Sequence, residues 1–381
     1  MGPTLHDVEI KHLGILGAGQ LGRMLALAGY PLGLRIRCFD TSATATAGQV
    51  AQLRVGSFKD EAALEEFAAG LDLITYEFEN VPISTACYLA DRVPVLPPPP
   101  ALAAAQERFA EKLCFTRLGI PTPPFAPVET LAQLHAAVAQ IGLPAVLKTR
   151  RFGYDGKGQV VLRHETDIAA AYQQLAGVPL ILESFIPFDR EVSLLMVRGR
   201  NGQLAAYPLV WNQHRLGILR ESRAPAPELS PALQARAEDY GRRVLESLDY
   251  VGLLAIEFFQ VGDQLIANEM APRVHNSGHW TIEGAVTSQF ANHLRAILGL
   301  PLGDTSPRGE VAMLNCIGSR PDPARLLTLP GVYLHDYDKE VLPGRKVGHV
   351  TVVAATTAEL EQRLAALRQL VTSQEIPNAA G

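Results

Sequence analysis

The chain has 381 residues, enough at ~100–200 residues per domain for two or three domains. Apolar residues make up 48%, which supplies a core and excludes a disordered chain. Lys and Arg number 34 against 39 Asp and Glu, a net charge of −5, so no overall basic field exists to hold nucleic acid.

No apolar run reaches the ~18 residues that suggest a membrane span. The first ten residues carry His6, Asp7 and Glu9 and lack the apolar stretch of a signal peptide, which predicts a cytoplasmic protein. Cys38, Cys87, Cys114 and Cys316 are scattered without a CxxC spacing and read as reduced thiols.

Strand and helix signals alternate over the first hundred residues. Strands are predicted at 13–16, 34–39 and 71–76, and helices at 20–28 and 61–69. That rhythm predicts an α/β unit with a parallel, doubly wound sheet. The run Pro97 to Pro100 predicts a stiff extended connector and a domain boundary. One helix is predicted at 101–118 and another at 131–140. Strands follow at 145–149, 159–162, 180–185 and 192–197. A long amphipathic helix at 232–248 precedes a hairpin, 253–259 with 264–270. Strict alternation is lost here, so the centre reads as α+β. Short strands at 311–317 and 347–353 and a helix from 358 close the chain. The expected units are 1–100, 101–300 and 301–381.

Gly17-Ala18-Gly19-Gln20-Leu21-Gly22 matches GxGxxG between a strand and a helix, and Asp40 ends the next strand. Such glycines let backbone N–H groups approach a phosphate at a helix N-terminus. Three readings stay open at this loop: a phosphorylated substrate, a plain strand-to-helix turn, or the dinucleotide site of a nicotinamide oxidoreductase. A second glycine-rich stretch, 150–159, sits between two strands with interleaved cations. It suits a flap closing over phosphates through backbone N–H groups. Lys148, on the strand before it, is placed to meet a phosphate as a point charge.

The hairpin adds a metal signal. Glu257 and Glu269 are symmetric about Asp263, so an odd-length loop centred there places them opposite each other on one face. A two-residue turn would put them on opposite faces. Facing carboxylates repel unless a cation joins them. With Asn268 they offer hard oxygen ligands suited to magnesium bridging nucleotide phosphates. His275 and His279 have an i,i+4 zinc spacing, but Ser277 and Gly278 between them argue against a helix, and no third soft ligand is near.

These segments together resemble the ATP-grasp superfamily and, within it, the N5-carboxyaminoimidazole ribonucleotide synthetase family of purine biosynthesis. The resemblance rests on LGAGQLGRM at 16–24, YEFENVP at 76–82, FGYDGKGQ at 152–159, NEMAPRVHNSG at 268–278 and GRKVGHVT at 344–351. It implies an N-terminal Rossmann-like domain, a central ATP-grasp domain with a lid at about 120–188, and a small β-rich C-terminal domain. It implies a homodimeric ligase that joins aminoimidazole ribonucleotide, bicarbonate and ATP through carboxyphosphate, with Mg2+ required. It also implies ATP-binding roles for Arg108, Lys148, Gly153, Tyr154, Asp155, Gly156, Lys157, Gly158, Gln159, Glu183, Ser184, Phe185, Ile186, Glu191, His214, Asn268 and Glu269. Glu257 and Glu269 match metal ligands. Gly19, Gln20, Tyr154, Asp155, Arg273, His275 and Lys346 match the ribonucleotide and bicarbonate pocket. Asp155, Arg273 and Lys346 are the catalytic candidates, with Asp155 set to orient the substrate amine and take its proton. Another ATP-grasp ligase with a different acceptor is the nearest rival. An oxidoreductase built on Gly17 to Gly22 leaves the second glycine loop and the paired glutamates unexplained.

Overall fold

The computed structural model describes residues 10–153 and 157–372. The first four strands, β1 (His12–Leu16), β2 (Arg35–Asp40), β3 (Gln52–Val55) and β4 (Leu73–Tyr76), form a parallel sheet in the order β3-β2-β1-β4. β1 and β4 are apolar runs buried on both faces, as the interior of a parallel sheet requires. The edge strand β3 is short and largely exposed, and its sequence carries no such signal.

The proline run differs from expectation. Pro99 and Pro100 open the helix Pro99–Gln106. Proline suits a first helical turn because its missing N–H has no intrahelical partner there. The single helix expected at 101–118 is two, Pro99–Gln106 and Arg108–Arg117. The break falls at Glu107, whose extended backbone (φ −129, ψ 111) lets its carboxylate accept the N–H groups of Phe109 and Ala110.

Strands β5 (Phe125–Val128), β6 (Ala145–Thr149), β7 (Gln159–Leu162) and β8 (Leu180–Ser184) form a separate antiparallel sheet in the order β5-β8-β6-β7. The helices Leu131–Ile141 and Ile168–Leu175 share one apolar cluster with it. A capping box between Thr130 and Gln133 starts the first of them.

The largest sheet has nine strands: β9 (Arg190–Arg198), β10 (Leu204–Ala206), β11 (Val210–Arg215), β12 (Ile218–Ala224), β13 (Gly252–Val261), β14 (Gln264–Ala271), β15 (Glu310–Ile317), β16 (Val332–Asp336) and β17 (Lys346–Ala354). Eight run in the order β14-β13-β9-β11-β12-β15-β17-β16, and β10 pairs with β9. The last three strands continue the central sheet through β12 and β15. The helix Gln289–Leu298 packs against β9 and β13 on one side and the helix Gln20–Gly29 on the other. From it the buried His293 meets Thr75 Oγ1 of β4 at 2.9 Å and accepts the Leu253 N–H of β13 at 3.1 Å. No helix among the described residues is long and apolar enough to cross a membrane.

Candidate active site

The site is built around the β13–β14 hairpin. Val261 pairs with Gln264, so the turn is the two residues Gly262 and Asp263 rather than an odd-length loop. Continued back regularly, that register would pair Glu257 with Asn268 and turn Glu269 to the other face. Instead the ladder carries a bulge: Phe258 pairs with Ala267, and Glu257 pairs with Glu269. Asn268 is the extra residue, and a bulge of this kind re-aims side chains near sites. The predicted opposition of the two glutamates therefore holds, by a different route.

Two cavities meet at this pair. The smaller, about 260 Å³, is lined by Arg108, Lys148, Gly153, Lys157, Gln159, Glu183, Ser184, Phe185, Ile186, Glu191, His214, Asn268 and Glu269, with Glu257. The larger, about 820 Å³, is lined by Gly19, Gln20, Arg273, His275 and Lys346, again with Glu257 and Glu269. Arg108, Gly153, Glu257 and Glu269 belong to both walls. Gly158 lies off the wall. Its φ of +71 and a Cβ position 2.7 Å from Thr149 Oγ1 make it the glycine that lets the flap turn. Tyr154, Asp155 and Gly156 lie outside the described residues.

In the smaller cavity, Glu183 is buried, with Oε2 3.0 Å from Lys148 Nζ and 3.4 Å from Lys112 Nζ. Burial opposes its charge, but the two ammonium groups outweigh that and hold the carboxyl down at about 2. Its Oε1 has no hydrogen-bond partner among the described residues. His214 Nδ1 lies 2.8 Å from Glu191 Oε2. Burial disfavours the imidazolium, yet this hydrogen bond carries the His214 pKa above its ordinary value. Arg108 donates to the carbonyls of Thr149 (2.8 Å) and Gly153 (2.9 Å) and so holds the root of the flap. The rings of Phe188 and Phe259 stack at 4.8 Å beside the same wall.

At the junction, burial and then the facing Glu269 push the Glu257 carboxyl up to about 7. His275 Nε2 lies 3.5 Å from Glu257 Oε1, and His275 Nδ1 meets Ser277 Oγ at 2.9 Å. Burial, then Arg273 and Lys346, hold the His275 pKa well below its ordinary value. In the larger cavity Arg273 pairs with Glu79, and Gln20 accepts from Lys339.

The first glycine loop is already engaged by protein carboxylates. Gly19 N–H donates to Glu77 Oε1 at 2.8 Å, and Ala18 N–H donates to Asp40 Oδ2 at 2.8 Å. A Cβ at Gly17 (φ +94) would lie 2.5 Å from Glu77 Oε1. The loop is thus shaped around an acidic side chain, and Asp40 braces the turn instead of standing ready for a ribose.

Comparison with known proteins decides among the open readings. The ATP-grasp domain family matches residues 113–290, the ribonucleotide synthetase preATP-grasp domain residues 10–106, and the phosphoribosylaminoimidazole carboxylase C-terminal domain residues 311–363. The chain is 52% identical to N5-carboxyaminoimidazole ribonucleotide synthase of Pseudomonas aeruginosa, over 94% of this chain and 99% of that one. It is similar to the N5-carboxyaminoimidazole ribonucleotide synthetase structure from Thermus thermophilus, with a TM-score of 0.92 and 59% identity, covering 96% of this chain and 99% of that one. It also matches the N5-carboxyaminoimidazole synthase of Aspergillus clavatus in complex with ADP and 5-aminoimidazole ribonucleotide, with a TM-score of 0.90 and 32% identity, covering 96% and 99%.

The chain belongs to the N5-carboxyaminoimidazole ribonucleotide synthetase family. As an ATP-grasp ligase it binds ATP, and the oxidoreductase reading of Gly17 to Gly22 falls away. Several lining residues of this synthetase escaped the sequence reading. Glu77 and Glu79 stand in the quoted YEFENVP segment, where two acids at the end of an apolar strand were the available signal. Glu111, on the larger wall, and Lys112, buried behind Glu183 rather than on a wall, gave none: a charged pair on a helix ordinarily reads as a solvated face.

Proposed function

We propose that the smaller cavity of this ligase takes ATP and the larger one the aminoimidazole ribonucleotide, with bicarbonate between them at Glu257 and Glu269. The chain carboxylates 5-aminoimidazole ribonucleotide to N5-carboxyaminoimidazole ribonucleotide in purine biosynthesis, with ATP converted to ADP and phosphate. The observation that carries the placement is the shared wall, where two glutamates border both cavities at once.

A divalent cation fits that pair. The carboxylates face each other across the ladder, repel without a cation, and with Asn268 present only oxygen ligands. No cluster of three or more His, Cys, Asp or Glu side chains among the described residues is grouped to hold a metal. Glu257, Glu269 and Asn268 would hold the ion from the protein side. When bound, magnesium supplies neutralising charge to the transferring phosphoryl group.

The chain's own residues do the rest. Glu183 and Lys148 face the base end, and Glu191 with His214 the ribose hydroxyls. Arg108 and the flap residues Gly153, Lys157 and Gln159 hold the phosphate end. A bicarbonate oxygen then attacks the γ-phosphorus while the bond to ADP breaks. The carboxyl carbon of the resulting carboxyphosphate passes to the exocyclic amine, and phosphate departs. Arg273 and Lys346 hold the anions, and Asp155 takes the amine proton. Closure of the 125–184 sheet keeps water from the mixed anhydride. A cytoplasmic homodimer completes this reading, and light scattering on the purified chain tests the dimer. Phosphate release from Mg-ATP and bicarbonate, with and without aminoimidazole ribonucleotide, tests the chemistry. Strong stimulation by that ribonucleotide is expected, and stimulation only by another amine would overturn the acceptor.

A further inference from the structure

The bulge that aligns Glu257 with Glu269 needs outside support. β14 is the edge strand of its sheet, so no further strand holds it from the far side. A bulge also leaves peptide groups without ladder partners. Two consecutive residues of the helix Arg108–Arg117 take up outward-facing groups of this edge at the bulge and beside it, while Ala267 N–H donates to the Pro121 carbonyl at 2.7 Å. Lys112 Nζ donates to the carbonyl of Asn268 and, at 3.4 Å, to that of Ala267. Glu111 Oε1 accepts the N–H of Met270 at 2.6 Å. Both side chains are buried, at 2% and 1% exposure. Charges are rarely held so deep unless each is fully partnered. Lys112 also reaches Glu183 of β8 at 3.4 Å, so one ammonium ties the bulge to the strand behind the base end of the nucleotide cavity.

We propose that Glu111 and Lys112 are positioning residues, a clip on the Asn268 bulge that keeps Glu257 and Glu269 facing one another across the hairpin. The inference rests on reading that pair as the metal site. Glu111 borders the larger cavity, but the oxygen that accepts from Met270 acts as a backbone partner. A neutral acceptor of the same shape can fill that role.

Mn2+ titrated into the full chain in the presence of ADP, followed by electron paramagnetic resonance, separates this role from direct participation. Glu111→Gln keeps an acceptor for Met270 N–H and should bind Mn2+ as the unaltered chain does. Glu111→Leu and Lys112→Met should weaken Mn2+ binding by ~10–100-fold, the usual effect of removing a group that orients a metal ligand. Metal-free ADP binding by Glu111→Leu should not change. Unaltered Mn2+ binding by Glu111→Leu and Lys112→Met would overturn the clip. So would a Glu111→Gln variant as impaired as Glu111→Leu, since the charge itself would then be the working feature. Circular dichroism checks folding, and if Lys112→Met does not fold, the Glu111 pair decides alone. Absence of Mn2+ binding by the unaltered chain with ADP would instead remove the metal assignment, and the clip with it.

Discussion

Replacing Glu269 by Gln keeps its volume and removes its carboxylate from a half-buried junction that borders both cavities. Losing one electrostatic stabiliser costs ~10²–10³ in rate, so ribonucleotide-stimulated phosphate release by Glu269→Gln should fall by that order. Near-normal turnover would remove Glu269 from the metal site. His293 shows the opposite use of a polar side chain. It is buried, satisfied at both ring nitrogens, and lines neither cavity. His293→Leu strands the Leu253 N–H and the Thr75 hydroxyl, each worth ~1–3 kcal/mol when buried unpaired. A lower urea midpoint at pH 7.5 is the expected result.

Among the elements, the break between the two helices at Glu107 does the most for the site. One carboxylate caps the second helix and also grips Arg150 at the flap root through two bonds of 2.7 and 2.8 Å. Burial opposes its charge, but the Arg150 hydrogen bonds hold the Glu107 carboxyl below its usual range. Glu107→Ala should lower stability by ~0.5–2 kcal/mol through the lost cap alone, read as a shift in the denaturation midpoint. It should also raise the KM for ATP, because Arg150 loses its fork partner. A normal KM would uncouple the cap from the flap.

For the whole molecule, two features join parts that are distant in sequence. β15 continues the central sheet from β12, and Lys346 at the start of β17 reaches the larger cavity. A chain ending at Gly299 exposes the β12 edge and loses Lys346, so it should be poorly soluble and should not respond to the ribonucleotide. Expression followed by sedimentation and the phosphate assay checks both. The second joint is His293, between β4 and β13. Burial pulls its pKa down to about 3, against about 6.5 in the unfolded chain. The unfolded state therefore binds the extra proton between those values, and stability falls as pH falls through that window. This one group contributes a slope of ~1.4 kcal/mol per pH unit, so His293→Leu should flatten the pH dependence of stability between pH 6 and 4 by that order.

By itself the sequence determined the main strands and helices of the first hundred residues, the glycine-rich stretch between β6 and β7 and the β13–β14 hairpin with its two glutamates, since each is a local pattern or a charge set against an apolar strand, whereas β3, β5, β10 to β12 and β16 left no pattern that was read. Glu257 stood out between Ile256 and Phe258, and the flap between β6 and β7 could be read from its glycines. The paired proline helix start, the Glu107 break and the two-residue turn were legible only in the structure, because short elements depend on neighbours as much as on propensity. Tertiary structure alone decided that Gly17 yields to Glu77 and that Asn268 is the bulged residue. It alone decided that Glu111 holds Met270 from 159 residues away. The physical reason is the same in each case: a buried polar group takes whichever partner the fold brings to it, and that partner is distant in sequence.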